Sequence, residues 1–140
     1  MGQSLEPFEA FIAQHHILTL ATCKDNTPQC ATLFFVYDPD EIAFVVASDT
    51  KTEHIQNVLT NALVAGTIAL ETKSVGKIQG IQFQAEMRIS ENSIDKTRYF
   101  KAYPYALAMN PTLWKIQLVR MKLTDNRLGF GTKLIWDVSE

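Results

Sequence analysis

The chain has 140 residues, 46% hydrophobic and 20% charged, with a formal net charge of −2. That balance excludes a disordered chain and suits one domain, residues 1–140, whose core needs no metal or disulfide staple. No cluster of Lys and Arg marks nucleic acid as the main partner, and no apolar run approaches the roughly 20 residues that cross a bilayer.

Taken in chain order, Ser4 reads as the cap of a first helix carrying Leu5, Phe8, Phe11 and Ile12 at helical spacing. Pro7 fits only in its first turn. Ile17–Cys23 reads as a strand apolar on both faces, Lys24–Pro28 as a turn, Gln29–Asp38 as a second strand, Asp38–Glu41 as a tight turn and Ile42–Ala47 as a third strand. Strands apolar on both faces need two covers: a barrel interior on one side, a helix or second subunit on the other. Ser48–Thr52 opens a helix with Ile55, Val58 and Leu59 on one face. Ala62–Leu70 reads as a buried strand and Glu71–Lys77 as a loop. In Ile78–Ile89, Ile81, Phe83, Ala85, Met87 and Ile89 alternate with Gln82, Gln84, Glu86 and Arg88. Ser90 or Asn92 caps a helix ending at Pro104. A long strand starts near Leu113, and its apolar phase flips between Leu118 and Val119, which predicts a bulge or a change of neighbours. Asp125-Asn126 reads as a turn and Leu134–Trp136 as a last short strand.

Several groups carry chemical potential. Ser48-Asp49-Thr50-Lys51-Thr52 sits where a strand enters a helix; two readings stand, an anion site at the helix N-terminus or a capped helix start with a solvated Lys. Gln82 and Gln84 share a polar strand face, facing either solvent or the edge of a heteroaromatic ring. His15, His16 and His54 lack the companions of a zinc site. Cys23 and Cys30 flank a hairpin, as a cross-strand disulfide or, the favoured reading, as two buried thiols. Two cysteines, with no basic-then-apolar leader, place the chain in the cytoplasm. Gly129–Lys133 lacks the spacing and setting of a dinucleotide fingerprint.

The meander from Ile17-Leu18-Thr19-Leu20-Ala21-Thr22 to Ile42-Ala43-Phe44-Val45-Val46, followed by Thr50-Lys51 and Val64-Ala65-Gly66-Thr67-Ile68, resembles the pyridoxamine-phosphate-oxidase-like, FMN-binding split-barrel superfamily. Lys51-Thr52, Gly80-Ile81-Gln82-Phe83, Pro111–Trp114 and the long Thr124–Trp136 segment resemble its YhbP-like bacterial branch. The resemblance implies a mainly β chain with flanking helices, a six-stranded antiparallel split β-barrel, forming a homodimer with FMN at the subunit interface. It implies that Thr50 and Lys51 hold the FMN phosphate. Cys30, Ala31, Thr32 and Leu33, with Val45 and Val46, line the flavin, and Gln82 reaches its ring. Thr124, Asn126 and Lys133 come from the partner. The oxidase itself carries an Arg near Cys30, a Ser-Arg-Lys where this chain has Asp49-Thr50-Lys51, and an Arg/His-rich C-terminal motif. These departures point away from pyridoxine-phosphate oxidation. The expected function is an FMN-dependent oxidoreductase of unread substrate. The alternative is a non-catalytic flavin- or haem-binding module, with His15, His16 or His54 as axial ligand.

Overall fold

The computed structural model describes residues 2–139. Among them the order is α1 (Glu6–Ile12), β1 (Ile17–Lys24), β2 (Thr27–Asp38), β3 (Ala43–Ala47), α2 (Glu53–Thr60), β4 (Leu63–Ala69), β5 (Gln79–Ser90), α3 (Ser93–Ala102), β6 (Leu113–Asp125) and β7 (Lys133–Asp137). Short 3₁₀ turns lie at Val75–Lys77, Pro104–Met109 and Asn126–Leu128.

Local chemistry explains the meander. β1 turns into β2 through Asp25 and Asn26, at φ of 51° and 61°. This two-residue geometry matches the twist of paired strands, and short polar side chains tolerate it. After β2, Asp38 Oδ1 accepts the N–H groups of Asp40 and Glu41 at 3.0 and 3.3 Å and folds the next turn. β1 lies between β2 and β4; β5 and β6 follow, and β3 bridges β2 to β6. The result is a closed six-stranded antiparallel barrel with β7 as an additional strand.

β6 resolves its own phase flip. Its first half pairs with β3, from Leu113↔Ala47 to Gln117↔Ala43, and its second half with β7, from Arg120↔Asp137 to Thr124↔Lys133. Against β5 the register jumps from Ala85↔Leu118 to Gln84↔Arg120, leaving Val119 as a bulge. The bulge and the change of neighbours occur together. They keep Trp114, Ile116 and Leu118, then Met121 and Leu123, inside.

The core fills the barrel and its two ends. Phe8, Phe11 and Ile12 of α1 stopper one end, and Ile55 and Val58 of α2 the other. Complete burial of a side chain such as Phe8 or Phe44 contributes about 1.5–3 kcal/mol. Gly66 faces inward opposite Phe83; a Cβ there would come within 3.0 Å of the Phe83 ring and of the Thr19 carbonyl oxygen. Asn92 caps α3 by accepting the Ile94 N–H at 2.7 Å.

Some expectations are corrected. Leu59 is 61% exposed, because α2 rests on the barrel through Ile55, Val58 and the buried Asn57, which donates to Thr22 Oγ1. Ser4 is not the cap of α1; Leu5 holds that position, and Ser4 Oγ accepts the Glu6 N–H. Ile89 is exposed, and β4 is buried only on its inner face.

Candidate functional site

The outside of the barrel is covered unevenly. α3 lays Tyr99 over Val45 and Leu113, with Tyr103 and Val36 alongside, so the outer face of β3 and the end of β2 are sealed by the chain itself. The outer face of β1, the start of β2, β4 and β5 is bare. There Ile17, Phe34 and Leu63 are about half exposed, and Cys30 and Thr32 are exposed.

Register arranges this bare face in rows. Thr32, Thr19, Thr67, Gln82 and Lys122 stand opposite one another across five strands, and Cys30, Ala21, Ala65, Gln84 and Arg120 form the next row. Two adjoining grooves, of about 480 and 510 Å³, share Ala21, Ala65 and Gln84 as their floor. The small side chains make that floor flat. Thr67, Gln82, Arg120 and Lys122 wall one groove; Cys23, Leu63 and Glu86 wall the other.

The segment before α2 is held by a knot of short hydrogen bonds. His54 Nε2 lies 2.6 Å from Ser48 Oγ and 3.3 Å from Thr52 Oγ1. Burial holds His54 below its ordinary imidazole value, so the ring is neutral near pH 7. Asp49 Oδ1 accepts the Lys51 N–H at 2.8 Å, Thr52 Oγ1 accepts the Ile55 N–H, and Thr50 O accepts from Gln56 Nε2. Two backbone N–H groups of the helix start are thus already satisfied. The Thr50 hydroxyl and the Lys51 ammonium, both on exposed residues, remain to face an anion.

The other residues singled out from sequence divide by geometry. Of Cys30–Leu33, only Cys30 and Thr32 face the bare side; Ala31 and Leu33 point inward, and Leu33 packs on the core. Val45 and Val46 are 0% exposed, under α3 and in the barrel core respectively, so neither side chain is open to a ligand in the single chain. Gln82 lines the groove. Thr124 stands opposite Lys133, and beside them Asn126 donates from Nδ2 to Val75 O and accepts the Gly131 N–H. This trio sits at the far end of β6 from Leu113, which pairs with Ala47 next to the Thr50-Lys51 segment. Eleven residues at about 3.3 Å each separate the two ends by some 36 Å of strand.

The cysteines are free and are not both buried: Cys30 is exposed. Cys30 pairs with Ala21 and Cys23 with Pro28, so the thiols are diagonal rather than opposed. His15 stacks on Phe11 at 4.2 Å between ring centroids, away from the groove. Asp38, Glu41 and Asp95 converge like metal ligands, but the Lys115 ammonium fills their centre. Its Nζ is 3.2 Å from Asp38 Oδ2, 3.0 Å from Asp95 Oδ2 and in contact with Glu41, while Arg98 joins Asp38 at 3.2 Å. Ser90 Oγ donates to Asp95. The cluster ties α3 to the barrel.

Sequence reasoning passed over Thr67, Arg120 and Lys122 as groove residues. The signal was the phase flip at Val119, which turns both cations outward. The Lys115 network left no signal, because its members are scattered from Asp38 to Lys115.

Compared with solved structures, this architecture is a split-barrel fold. A candidate pyridoxamine 5'-phosphate oxidase from Listeria innocua superposes with a TM-score of 0.72, at 14% identity, over 84% of this chain and 95% of its own. A haem-binding protein from Mycobacterium smegmatis gives 0.79 at 14% identity, over 98% of this chain and 59% of its own. The haem storage protein HutZ from Vibrio cholerae gives 0.67 at 16% identity, over 83% and 91%. No family model matches the chain. Its sequence is 39% identical over 137 residues to a UPF0306 protein from Enterobacter sp. strain 638, covering 96% of each chain. It is 35% identical over 136 residues to the UPF0306 protein YhbP of Salmonella arizonae, covering 95% of this chain and 92% of that one. The chain belongs to the UPF0306 family. No helix among the described residues is long and apolar enough to cross a membrane.

Proposed function

We propose that this UPF0306 protein is a homodimeric FMN-binding flavoprotein of the cytoplasm that works as an oxidoreductase. The bare groove carries the reading: a flat floor of Ala21 and Ala65, with Gln82 on its wall, on the same sheet face as Cys30 and Thr32. Gln82 stands three strands from Thr32, about 14 Å at the usual strand spacing, a span that suits a flavin reaching across the sheet from the α2 end. The residues present fit such a ligand. Lys51 and Thr50 would hold the phosphate by charge and hydroxyl, and the Gln82 amide can both donate to and accept from the ring edge. Bound flavin would supply the electron-transfer chemistry; the protein binds it, orients it and keeps water from it. Thr124, Asn126 and Lys133 would complete the site from the second copy.

A second copy also answers the exposed apolar side chains of the sheet face. An obligate interface of this kind buries more than about 2,000 Å². The free thiols suit a reducing compartment.

The absorbance spectrum of purified protein, before and after incubation with FMN and with haemin, tests the reading. A flavin spectrum with saturable FMN binding supports it. A Soret band with no flavin uptake overturns it in favour of haem, and no chromophore after reconstitution overturns both. Anaerobic reduction of bound flavin by NADH or NADPH, and reoxidation by a quinone or dye, tests turnover.

A further inference from the structure

We propose that the β5–β6 side of the groove binds the carboxylate of a flat organic acid, which makes an anionic substrate or effector the molecule presented to the flavin. The proposal rests on the flavin reading for the identity of that neighbour.

Gln82 stands opposite Lys122 and Gln84 opposite Arg120, and all four line one groove. Directly opposed residues hold their Cβ atoms about 4.5–5.5 Å apart, and the next pair lies roughly 7 Å along the strand. The four head groups therefore frame a patch the size of one carboxylate and the ring that bears it.

The Val119 bulge puts the cations there. The first half of β6 turns Trp114, Ile116 and Leu118 inward. Without an extra residue, the same alternation would send Arg120 and Lys122 into the barrel and turn Met121 and Leu123 out. The bulge reverses the phase, and re-aiming side chains is a recurrent use of bulges beside functional sites.

Lys122 is uncommitted and Arg120 is only loosely held by Asp137. The Arg120–Asp137 pair is 3.6 Å long, beyond the 2.7–2.9 Å of a charge-assisted hydrogen bond. Lys122 makes no ion pair among the described residues, whereas Lys115 on the same strand is enclosed by three carboxylates. On a chain of net charge −2, this is a local positive site. The amides supply donors and acceptors that orient an acid, and with flavin on the Ala21–Ala65 floor the ring of the acid stacks on the flavin instead of on the floor. A bare inorganic anion would satisfy the cations without that stacking.

The test is calorimetric titration of the FMN-loaded protein with naphthoate, with the neutral isostere naphthamide and with inorganic phosphate. Naphthoate should bind at least tenfold more tightly than either. Lys122→Gln and Arg120→Gln should each weaken naphthoate about tenfold and leave naphthamide unchanged, the scale expected for one charged hydrogen bond. Lys73→Gln, which removes an exposed cation outside both grooves, should leave naphthoate binding intact. Equal affinities for acid and amide, no binding at millimolar concentration, or a preference that survives both groove substitutions overturns the proposal. So does a preference lost with Lys73. Repeating the titration on flavin-free protein separates the two readings: a naphthoate preference that persists where FMN fails to bind removes the flavin reading and supports the acid site.

Discussion

Replacing Lys51 with Ala separates the grip on a phosphate from the grip on a ring. Lys51 is exposed, and its ammonium has no partner among the described residues, so its removal disturbs no internal contact. The segment around it keeps its shape by other means: Asp49 Oδ1 holds the Lys51 backbone N–H, and Ser48, Thr52 and His54 hold one another. An alanine preserves all of these. A hydrogen bond from a charged group contributes about 1.5–3 kcal/mol, which at 1.4 kcal/mol per tenfold is a ten- to hundredfold loss in FMN affinity. Riboflavin carries the same ring without the phosphate, so its affinity should move less than twofold. Stability should stay within about 0.5 kcal/mol, as for other exposed substitutions. Quenching of flavin fluorescence, titrated for wild type and variant with both ligands, reads the difference. Equal losses for FMN and riboflavin would show a general disturbance of the site, and no loss for either would refute the phosphate role of Lys51.

Other expected outcomes follow from the packing. Gly66→Ala should be destabilising by several kcal/mol, because the new Cβ meets the Phe83 ring and the Thr19 carbonyl oxygen; urea unfolding with an unchanged midpoint would contradict this. Lys115→Ala removes the cation between the Asp38 and Asp95 carboxylates, leaving Arg98 to face them both, and should cost about 3–5 kcal/mol, read as a drop of roughly 2 M in the urea midpoint. The same network sets a pH window. Burial pushes the Asp38 carboxyl up, but Lys115, the Glu41 and Asp40 N–H groups and Arg98 outweigh it and hold it below its ordinary value. Its contribution is complete above that value and is lost as pH falls through the lower folded one. For Lys115, burial acts downward and is outweighed by Glu41, Asp95 and Asp38, which hold it above its ordinary value. Its contribution is complete below 10.5 and is lost as pH rises through the folded value, so the difference in urea midpoint between wild type and Lys115→Ala should be flat across neutral pH and shrink only at the two extremes. Phe34→Asp on the bare face should yield a folded monomer by sedimentation at micromolar concentration, and an intact dimer would place the interface elsewhere.

Much of the barrel was legible because its signals are local. The Asp25-Asn26 turn, the alternation from Ile81 to Met87 and the phase flip at Val119 each depend on residues adjacent in sequence, and the structure places a hairpin, a half-exposed strand and a bulge there. What failed was knowledge of what lies outside the barrel. Leu59 and Ile89 continue apolar patterns yet stay exposed, since Leu59 lies just off the face of α2 that packs through Ile55 and Val58, and α3 covers a different part of the sheet. The same ignorance affected the site. Nothing near Val45 announces that Tyr99 will cover it, and nothing near Arg120 places it beside Gln84 until the register is known.

The arrangement of the outer face bears on whether one chain suffices for the expected site. The part of the outer face that needs no help is already sealed by α3, fixed through Tyr99, Tyr103 and the Asp95–Lys115 contact. The part left open carries Cys30, Thr32 and Gln82, the expected ligand-facing side chains, together with half-exposed Ile17, Phe34 and Leu63. Burying those apolar side chains and enclosing a ligand on the same face are one physical problem, because whatever excludes water from Phe34 also roofs the adjoining groove. Thr124, Asn126 and Lys133 sharpen the point. They stand at the opposite end of β6 from the Thr50-Lys51 segment, and no rearrangement short of breaking the β5–β6 ladder brings the two sets together in one chain. If the chain dimerises through this face, a two-fold related copy would present the far end of its own β6 without moving any strand. Dimerisation and cofactor binding would then be coupled: dilution that dissociates the dimer should release flavin, and flavin should shift the monomer–dimer equilibrium toward the dimer.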